Sequence, residues 1–340
     1  MTTLEDTARE LVAPGRGILA ADESTPTITK RFEKLGIVST EESRRRYREL
    51  LLTAPGLEDY ISGVILYDET IRQADSAGTP FPEVLAKRGI MPGIKVDTGA
   101  KDLAGAPGEK VTEGLDGLRE RLAEYRAMGA RFAKWRAVIA IGDGLPSRYC
   151  IKVNAHALGR YAALCQEAGI VPVVEPEVLM DGDHTIERCY EATMETLRAV
   201  FAELAEQRVV LEGMLLKANM AISGKDCPHQ AGVEEVARAT VELCRRVVPA
   251  AVPGIVFLSG GQSNELATAH LNAMNRLGPH PWELSFSYAR ALQGPAIETW
   301  RGDDERYEDA QSALVHRARL NSEARYGRYE PEMEQRVGAA

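Results

Sequence analysis

The sequence predicts a single (β/α)8 barrel, and three observations predict it. Short apolar runs alternate with longer amphipathic stretches, eight such runs recur at roughly forty-residue spacing, and most are followed by a helix-like stretch. The 340 residues would also allow two domains, but barrels of this kind often reach that length as one unit. A doubly wound sheet would give a similar alternation; no GxGxxG turn follows the first run, so the barrel is preferred. Residues 1–325 are assigned to the barrel, and 326–340, with Gly, Pro and Glu, to a mobile C-terminal tail.

The runs cover residues 17–21, 61–66, 93–96, 132–137, 171–177, 214–217, 255–259 and 284–288. Their Val, Ile and Leu content, bounded by Gly or Pro, is that of parallel strands buried on both faces. Helical periodicity covers 115–128, 155–168, 184–206, 233–247 and 264–275; in the last, Leu266, Ala269, Ala273 and Met274 approximate one face. The glycine-rich stretch 98–114 reads as a loop.

The formal charge is −9, from 41 basic and 50 acidic residues, which argues against nucleic acid or an anionic membrane as partner. The densest basic run, 44–48, is assigned to a helix facing water. Pro249 and Pro253 interrupt the longest apolar stretch, so no membrane span is expected. Five cysteines, an odd number without CxxC spacing, suit reduced structural thiols. Glu5, Asp6 and Glu10 stand where a signal peptide needs basic and then apolar residues. A soluble, cytoplasmic chain is the expectation.

Charge at strand ends is the informative feature, because a purely structural strand avoids burying it. The C-terminal ends of barrel strands are also where such enzymes build their sites. The first run leads into Asp22-Glu23-Ser24 and the third into Lys95-Val96-Asp97. In the fourth, Lys134 and Arg136 fall on one side of the strand, as do Glu175 and Glu177 in the fifth. The sixth ends at Lys217, the seventh in Ser259-Gly260-Gly261, and the eighth in Ser287-Tyr288-Ala289-Arg290. The chain has 10 lysines against 31 arginines, yet Lys95, Lys134 and Lys217 all occupy strand ends. That bias favours a role for a primary amine over simple solvation.

Each feature has a plainer reading. A strand-end lysine can snorkel to solvent; Glu175 and Glu177 can neutralise Lys134 and Arg136 in a structural network; Asp22 can cap the following helix; and Ser259-Gly260-Gly261 can be only a tight turn. Convergence on one mouth of one barrel lowers the weight of these readings. A lysine is nucleophilic when its amine is neutral, a state favoured by neighbouring cations and desolvation, and Lys134 would be such a neighbour for Lys217. Attack on a ketone would give a carbinolamine and then an imine that permits cleavage of the adjacent carbon–carbon bond. Asp22, Glu175 and Glu177 are available for the proton transfers. Backbone N–H groups of the Ser259-Gly260-Gly261 turn, with Arg290, could hold one phosphate, and Lys95 and Arg136 a second. No metal is needed: His156, His184, His229, His270, His280 and His316 are scattered, without the clustering of a zinc site.

Eight strings carry a resemblance: GILAADEST at 17–25, SAGTPFPEVL at 76–85, GIKVDTG at 93–99, FAKWRAV at 132–138, GIVPVVEPEVL at 169–179, LEGMLLKANM at 211–220, FLSGGQS at 257–263 and FSYARALQ at 286–293. In that order they resemble class I fructose-bisphosphate aldolase over almost the whole chain. The resemblance implies Lys217 as the Schiff-base lysine and Glu175 as the principal acid/base, with Asp22, Lys134 and Glu177 assisting. It implies one phosphate site at Ser259, Gly260, Gly261, Ser287 and Arg290. A second involves Ser24, Lys95 and Thr27, with Arg31, Arg44 and Arg136 as further candidates. It also implies sugar-phosphate substrates, no metal or organic cofactor, and a homotetramer. Fructose 1-phosphate and sedoheptulose 1,7-bisphosphate stay open as substrates beside fructose 1,6-bisphosphate. A metal-dependent aldolase and a non-catalytic scaffold are the rival classes.

Four departures from the family pattern stand out. Ala218 occupies a position that is often proline, Ala289 one that is often glycine, and Thr27 replaces a serine. If position 289 needs a positive φ, alanine there would be strained. The chain ends in Arg336-Val337-Gly338-Ala339-Ala340, without the terminal tyrosine of the animal enzymes.

Overall fold

The computed structural model describes residues 2–335. Ten strands form in chain order: β1 Gly17–Ala21, β2 Ile61–Leu66, β3 Met91–Lys95, β4 Gly99–Asp102, β5 Lys110–Glu113, β6 Phe132–Ile139, β7 Val171–Val178, β8 Leu215–Ala218, β9 Gly254–Phe257 and β10 Glu283–Tyr288. Eight of them close a parallel barrel in the order β1-β10-β9-β8-β7-β6-β3-β2. The helices are α1 Leu4–Leu11, α2 Thr25–Lys34, α3 Glu41–Leu52, α4 Asp68–Ile71, α5 Phe81–Lys87, α6 Leu118–Ala127, α7 Arg148–Glu167, α8 Ile186–Glu206, α9 Val233–Val247, α10 Asn264–Arg276, α11 Arg290–Trp300 and α12 Tyr307–Arg325. The (β/α)8 barrel expected from the sequence is thus the fold.

The strands form because they are buried on both faces, and alternation along each one separates two apolar layers. Outward residues such as Leu19, Val64, Val174 and Leu216 pack under the helices. Inward residues Ile18, Ile65, Phe132, Val171, Val173, Leu215 and Val256 fill the lower bore, which Ala8, Leu11 and Val12 of α1 and its end close from below. Each of these larger side chains contributes roughly 1.5–3 kcal/mol by leaving water. Phe132 fits because glycines stand beside it on β3 and β2. A Cβ on Gly93 would lie 2.3 Å from the ring and one on Gly63 2.8 Å.

Four expectations change at this level. The 98–114 stretch is not merely a loop: β4 and β5 pair antiparallel as a hairpin. The buried side of α10 is Ala267, Thr268, His270, Leu271, Asn272, Ala273 and Met274, whereas Leu266 is exposed, because α10 packs against α9 and α12 as well as β10. The basic run 44–48 does lie on a helix, α3, but Arg48 is buried and ion-paired to Glu23. The cysteines match their expectation: all five are free and buried. In the stretch assigned to the tail, Tyr329 is buried and donates to Glu334, whose carboxylate also receives Arg317 of α12. Residues 336–340 of that tail lie outside the described residues.

Candidate active site

At the C-terminal ends of the strands the inward face of the barrel changes from apolar to charged. The alternation that places Ile18 and Ala20 in the bore puts Asp22 there next, and the same step carries Phe132 to Lys134 and Arg136. It carries Val171 and Val173 to Glu175 and Glu177, and Leu215 to Lys217. These residues line a cleft of about 370 Å3, a size suited to a small ligand. Six cations (Arg31, Lys95, Lys134, Arg136, Lys217 and Arg290) face four carboxylates (Asp22, Glu23, Glu175 and Glu177) in that lining. The cleft is therefore locally cationic in a chain of net charge −9, which suits an anionic substrate.

A chain of contacts joins four strands at its floor. The Lys217 amine is 3.1 Å from Glu175 Oε1. The other oxygen of Glu175 is 3.5 Å from Lys134 Nζ, which in turn lies 2.7 Å from Asp22 Oδ2. All four side chains are buried. Burial works against the charge of Asp22, but Lys134 and Lys217 outweigh it and bring its pKa down to about 2. Burial likewise opposes the charge on Lys134; Asp22, Glu175 and Asp97 prevail and raise its pKa above the ordinary lysine range. Lys134 is therefore a fixed ammonium and Asp22 a fixed carboxylate. Asp22 caps no helix: Ser24 is the N-cap of α2, and Asp22 turns inward.

Around this floor stand anion-binding groups. Ser24 Oγ and Thr27 Oγ1 lie 3.1 Å apart at the start of α2. Lys95 is held 2.8 Å from Asp97 Oδ1, and Arg136 pairs with Glu177. The Arg136 guanidinium is kept charged by Glu177 against the effect of burial. From β10, Ser287 brings a buried hydroxyl with no hydrogen-bond partner among the described residues. Arg290 Nη2 donates to the carbonyls of Ser259 at 3.3 Å and Gln262 at 2.5 Å. The Ser259–Gly261 turn needs its glycines. Gly261 has φ +76, and a Cβ on Gly260 would meet Met180 Cε at 2.5 Å. Ala289 adopts φ −99, so alanine carries no positive-φ strain at that position.

Of the residues singled out from the sequence, the cleft gathers Lys217, Glu175, Asp22, Lys134, Glu177, Ser259, Gly260, Ser287, Arg290, Lys95, Ser24, Thr27, Arg136 and Arg31. Two do not line it. Arg44 is occupied in a two-pronged pair with Glu69, at 2.7 and 2.6 Å, and Gly261 turns behind Gly260 against Met180. One functional neighbour was missed. Glu23 borders the cleft beside Asp22, but its carboxylate is taken up by Arg31, Arg48 and Gln293. Its alternation with Asp22 was the available signal, since adjacent residues on a strand point to opposite sides. Burial opposes its charge; Arg48 and Arg31 reverse the balance and lower its pKa.

A family model described as "Glycolytic: Fructose-bisphosphate aldolase class-I" matches residues 3–340. The chain is 62% identical to a probable fructose-bisphosphate aldolase class 1 of Xanthomonas campestris pv. campestris, over 96% of this chain and 98% of that one. It is 52% identical to fructose-bisphosphate aldolase 1 of Toxoplasma gondii, over 96% and 90%. Among solved structures, fructose-bisphosphate aldolase from Plasmodium falciparum, in complex with TRAP and a small-molecule inhibitor, superposes with a TM-score of 0.95 at 49% identity. That match covers 96% of this chain and 95% of the other.

Proposed function

The chain belongs to the class I fructose-bisphosphate aldolase family, and on that premise we propose that Lys217 is its Schiff-base lysine. The chain is a metal-independent lyase that reversibly cleaves fructose 1,6-bisphosphate to dihydroxyacetone phosphate and glyceraldehyde 3-phosphate. The residue roles are our reading. The observation that carries it is the single carboxylate, Glu175, placed between the Lys217 amine at 3.1 Å and the Lys134 ammonium at 3.5 Å.

The sequence of steps follows from these contacts. The Lys217 nitrogen adds to the ketone carbon, forming a C–N bond and a carbinolamine. Glu175, within reach of that nitrogen, takes up the protons the Lys217 nitrogen sheds and passes them to the former ketone oxygen, which leaves as water. The resulting iminium draws the C3–C4 bonding electrons as a carboxylate removes the proton from the C4 hydroxyl, and the aldehyde departs. Protonation of the enamine at C3 and hydrolysis, again through Glu175, free the ketone product. Lys134 and Asp22, whose mutual attraction favours their charged forms, fix the electrostatics around Glu175 and are placed to assist its proton transfers. Glu177, tied to Arg136, assists the proton transfers.

The two phosphates are assigned to two groups of strand ends. Ser259, Gly260, Ser287 and Arg290 of the β9 and β10 ends take the C1 phosphate; Ser24, Thr27, Lys95, Arg31 and Arg136 take the other. Residues 1–325 act as one catalytic domain. A homotetramer and a cytoplasmic setting are further parts of the reading. The buried free thiols support the latter, and no described helix is long and apolar enough to cross a membrane.

Triose release from fructose 1,6-bisphosphate should persist in EDTA. Activity lost to EDTA and restored by zinc would contradict the metal-independent reading, and light scattering at the mass of a monomer would contradict the tetramer.

A further inference from the structure

We propose that His270 and Gln262 form a positioning pair that holds the 259–262 loop and, through it, aims Arg290 at a bound phosphoryl group. This rests on the reading of Ser259, Gly260 and Arg290 as a phosphate cradle. Neither His270 nor Gln262 lines the cleft; both are buried one layer behind it.

The loop leaves β9, reverses at Gly260-Gly261 and enters α10, whose N-cap is Ser263. The reversal is made of glycines, so it has no side chains with which to hold itself. Two anchors remain. Ser263 Oγ accepts from the Leu266 backbone N–H at 3.1 Å, and Gln262 Oε1 accepts from His270 Nδ1 at 2.6 Å. The main-chain carbonyl of the same Gln262 accepts from Arg290 Nη2 at 2.5 Å, and the Ser259 carbonyl shares that nitrogen at 3.3 Å. The ring of His270 on α10 thus sets the place of Gln262, and two loop carbonyls set the guanidinium. Arg290 turns toward the cleft, where its Nε and Nη1 have no partner among the described residues.

A histidine retained only for packing would be an odd choice here. Its Nε2 and the Nε2 of Gln262 are both buried without a partner among the described residues, a desolvation cost that an apolar pair would avoid. Because Gln262 Oε1 is an acceptor, the proton sits on Nδ1 and Nε2 is the bare nitrogen. Burial lowers the ring's pKa to about 4, so it stays neutral and in one donor role across the working range.

The test is steady-state cleavage of fructose 1,6-bisphosphate and fructose 1-phosphate by four variants: His270→Leu, His270→Gln, Gln262→Met and Arg290→Ala. Arg290→Ala should raise KM for both sugars and so report on the cradle itself. His270→Leu should raise KM about tenfold for both, with kcat within about twofold of the parent. His270→Gln, whose amide can still donate to Gln262, should stay within about twofold of the parent in both constants. Gln262→Met should reproduce His270→Leu, and it decides the matter if His270→Leu does not fold. A raised KM in Arg290→Ala with unchanged KM in His270→Leu and Gln262→Met overturns the positioning pair and leaves the cradle standing. An unchanged KM in Arg290→Ala overturns the cradle, and the pair with it.

Discussion

Leu215 and Lys217 stand two residues apart on β8 and point into the same bore, the first in its lower half and the second at its mouth. Below, Leu215 packs with Ile65, Phe132, Val171, Val173 and Val256, and α1 seals the end. Its contribution is non-directional burial, and another apolar side chain of similar volume would serve. Above, Lys217, Glu175, Lys134 and Asp22 come from four strands, and each is held by a named partner within 3.5 Å. Burying charge is costly unless it is paired, so positions at the mouth are constrained by geometry as well as by volume. One set of strands therefore carries two kinds of content: a dry lower half that stabilises the barrel, and a charged upper half organised around one amine.

The comparison can be broken most sharply at β8 itself. Lys217→Ala should lose cleavage by on the order of 10^4-fold or more while the protein keeps its circular dichroism and melting transition. Substantial residual activity would remove the amine from the chemistry. Glu175→Gln, which keeps the shape and loses the proton relay, should lower kcat by on the order of 10^2–10^3-fold with a smaller change in KM. Leu215→Ala should behave in the opposite way, losing about 3 kcal/mol in denaturant unfolding while kcat of the folded fraction stays near the parent value.

Acid offers a finer probe of the mouth. The Asp22 carboxylate is depressed to about 2, so the stability it supplies is fully present above its unfolded pKa of 3.8. That stability is lost as pH falls from there toward about 2. Over that window it amounts to on the order of 2 kcal/mol. Asp22→Asn should flatten that part of the unfolding profile relative to the parent, and an unchanged profile would show that Lys134 does not depress Asp22. The smallest effect is expected at Arg44. Its guanidinium is committed to Glu69 outside the cleft, so Arg44→Gln should change KM less than about twofold. Arg136→Met, in the cleft lining, should change it more.

The barrel was legible because its strands are doubly buried and so read as unbroken apolar runs; residues 17–21 and 61–66 match β1 and β2 to the residue. The charged mouth was legible for the same reason, since a lysine or glutamate stands out at the end of such a run. The hairpin β4–β5 was not. Gly99–Asp102 is mostly exposed and carries no apolar alternation, so nothing in its pattern marks it as the first arm of a hairpin with Lys110–Glu113. Arg48 looked like part of a solvated basic face because its partner, Glu23, lies 25 residues away. Arg44 reads as a phosphate ligand for a similar reason, as Glu69 is also 25 residues distant. Leu266 does not join the buried side of α10 because several elements, α9, α11, α12 and β10 among them, press on that helix, and a single amphipathic stripe presumes one. His270 and Gln262 carried no periodic signal at all; only their 2.6 Å contact joins them.

Borohydride trapping tests the central assignment most directly. The enzyme is reduced in the presence of dihydroxyacetone phosphate, then digested and mapped by mass spectrometry. The account predicts one stable adduct per chain, on Lys217, with irreversible loss of activity only when the ketone is present. An adduct on Lys134 or Lys95 instead, or an enzyme that stays active and unlabelled under those conditions, would contradict it.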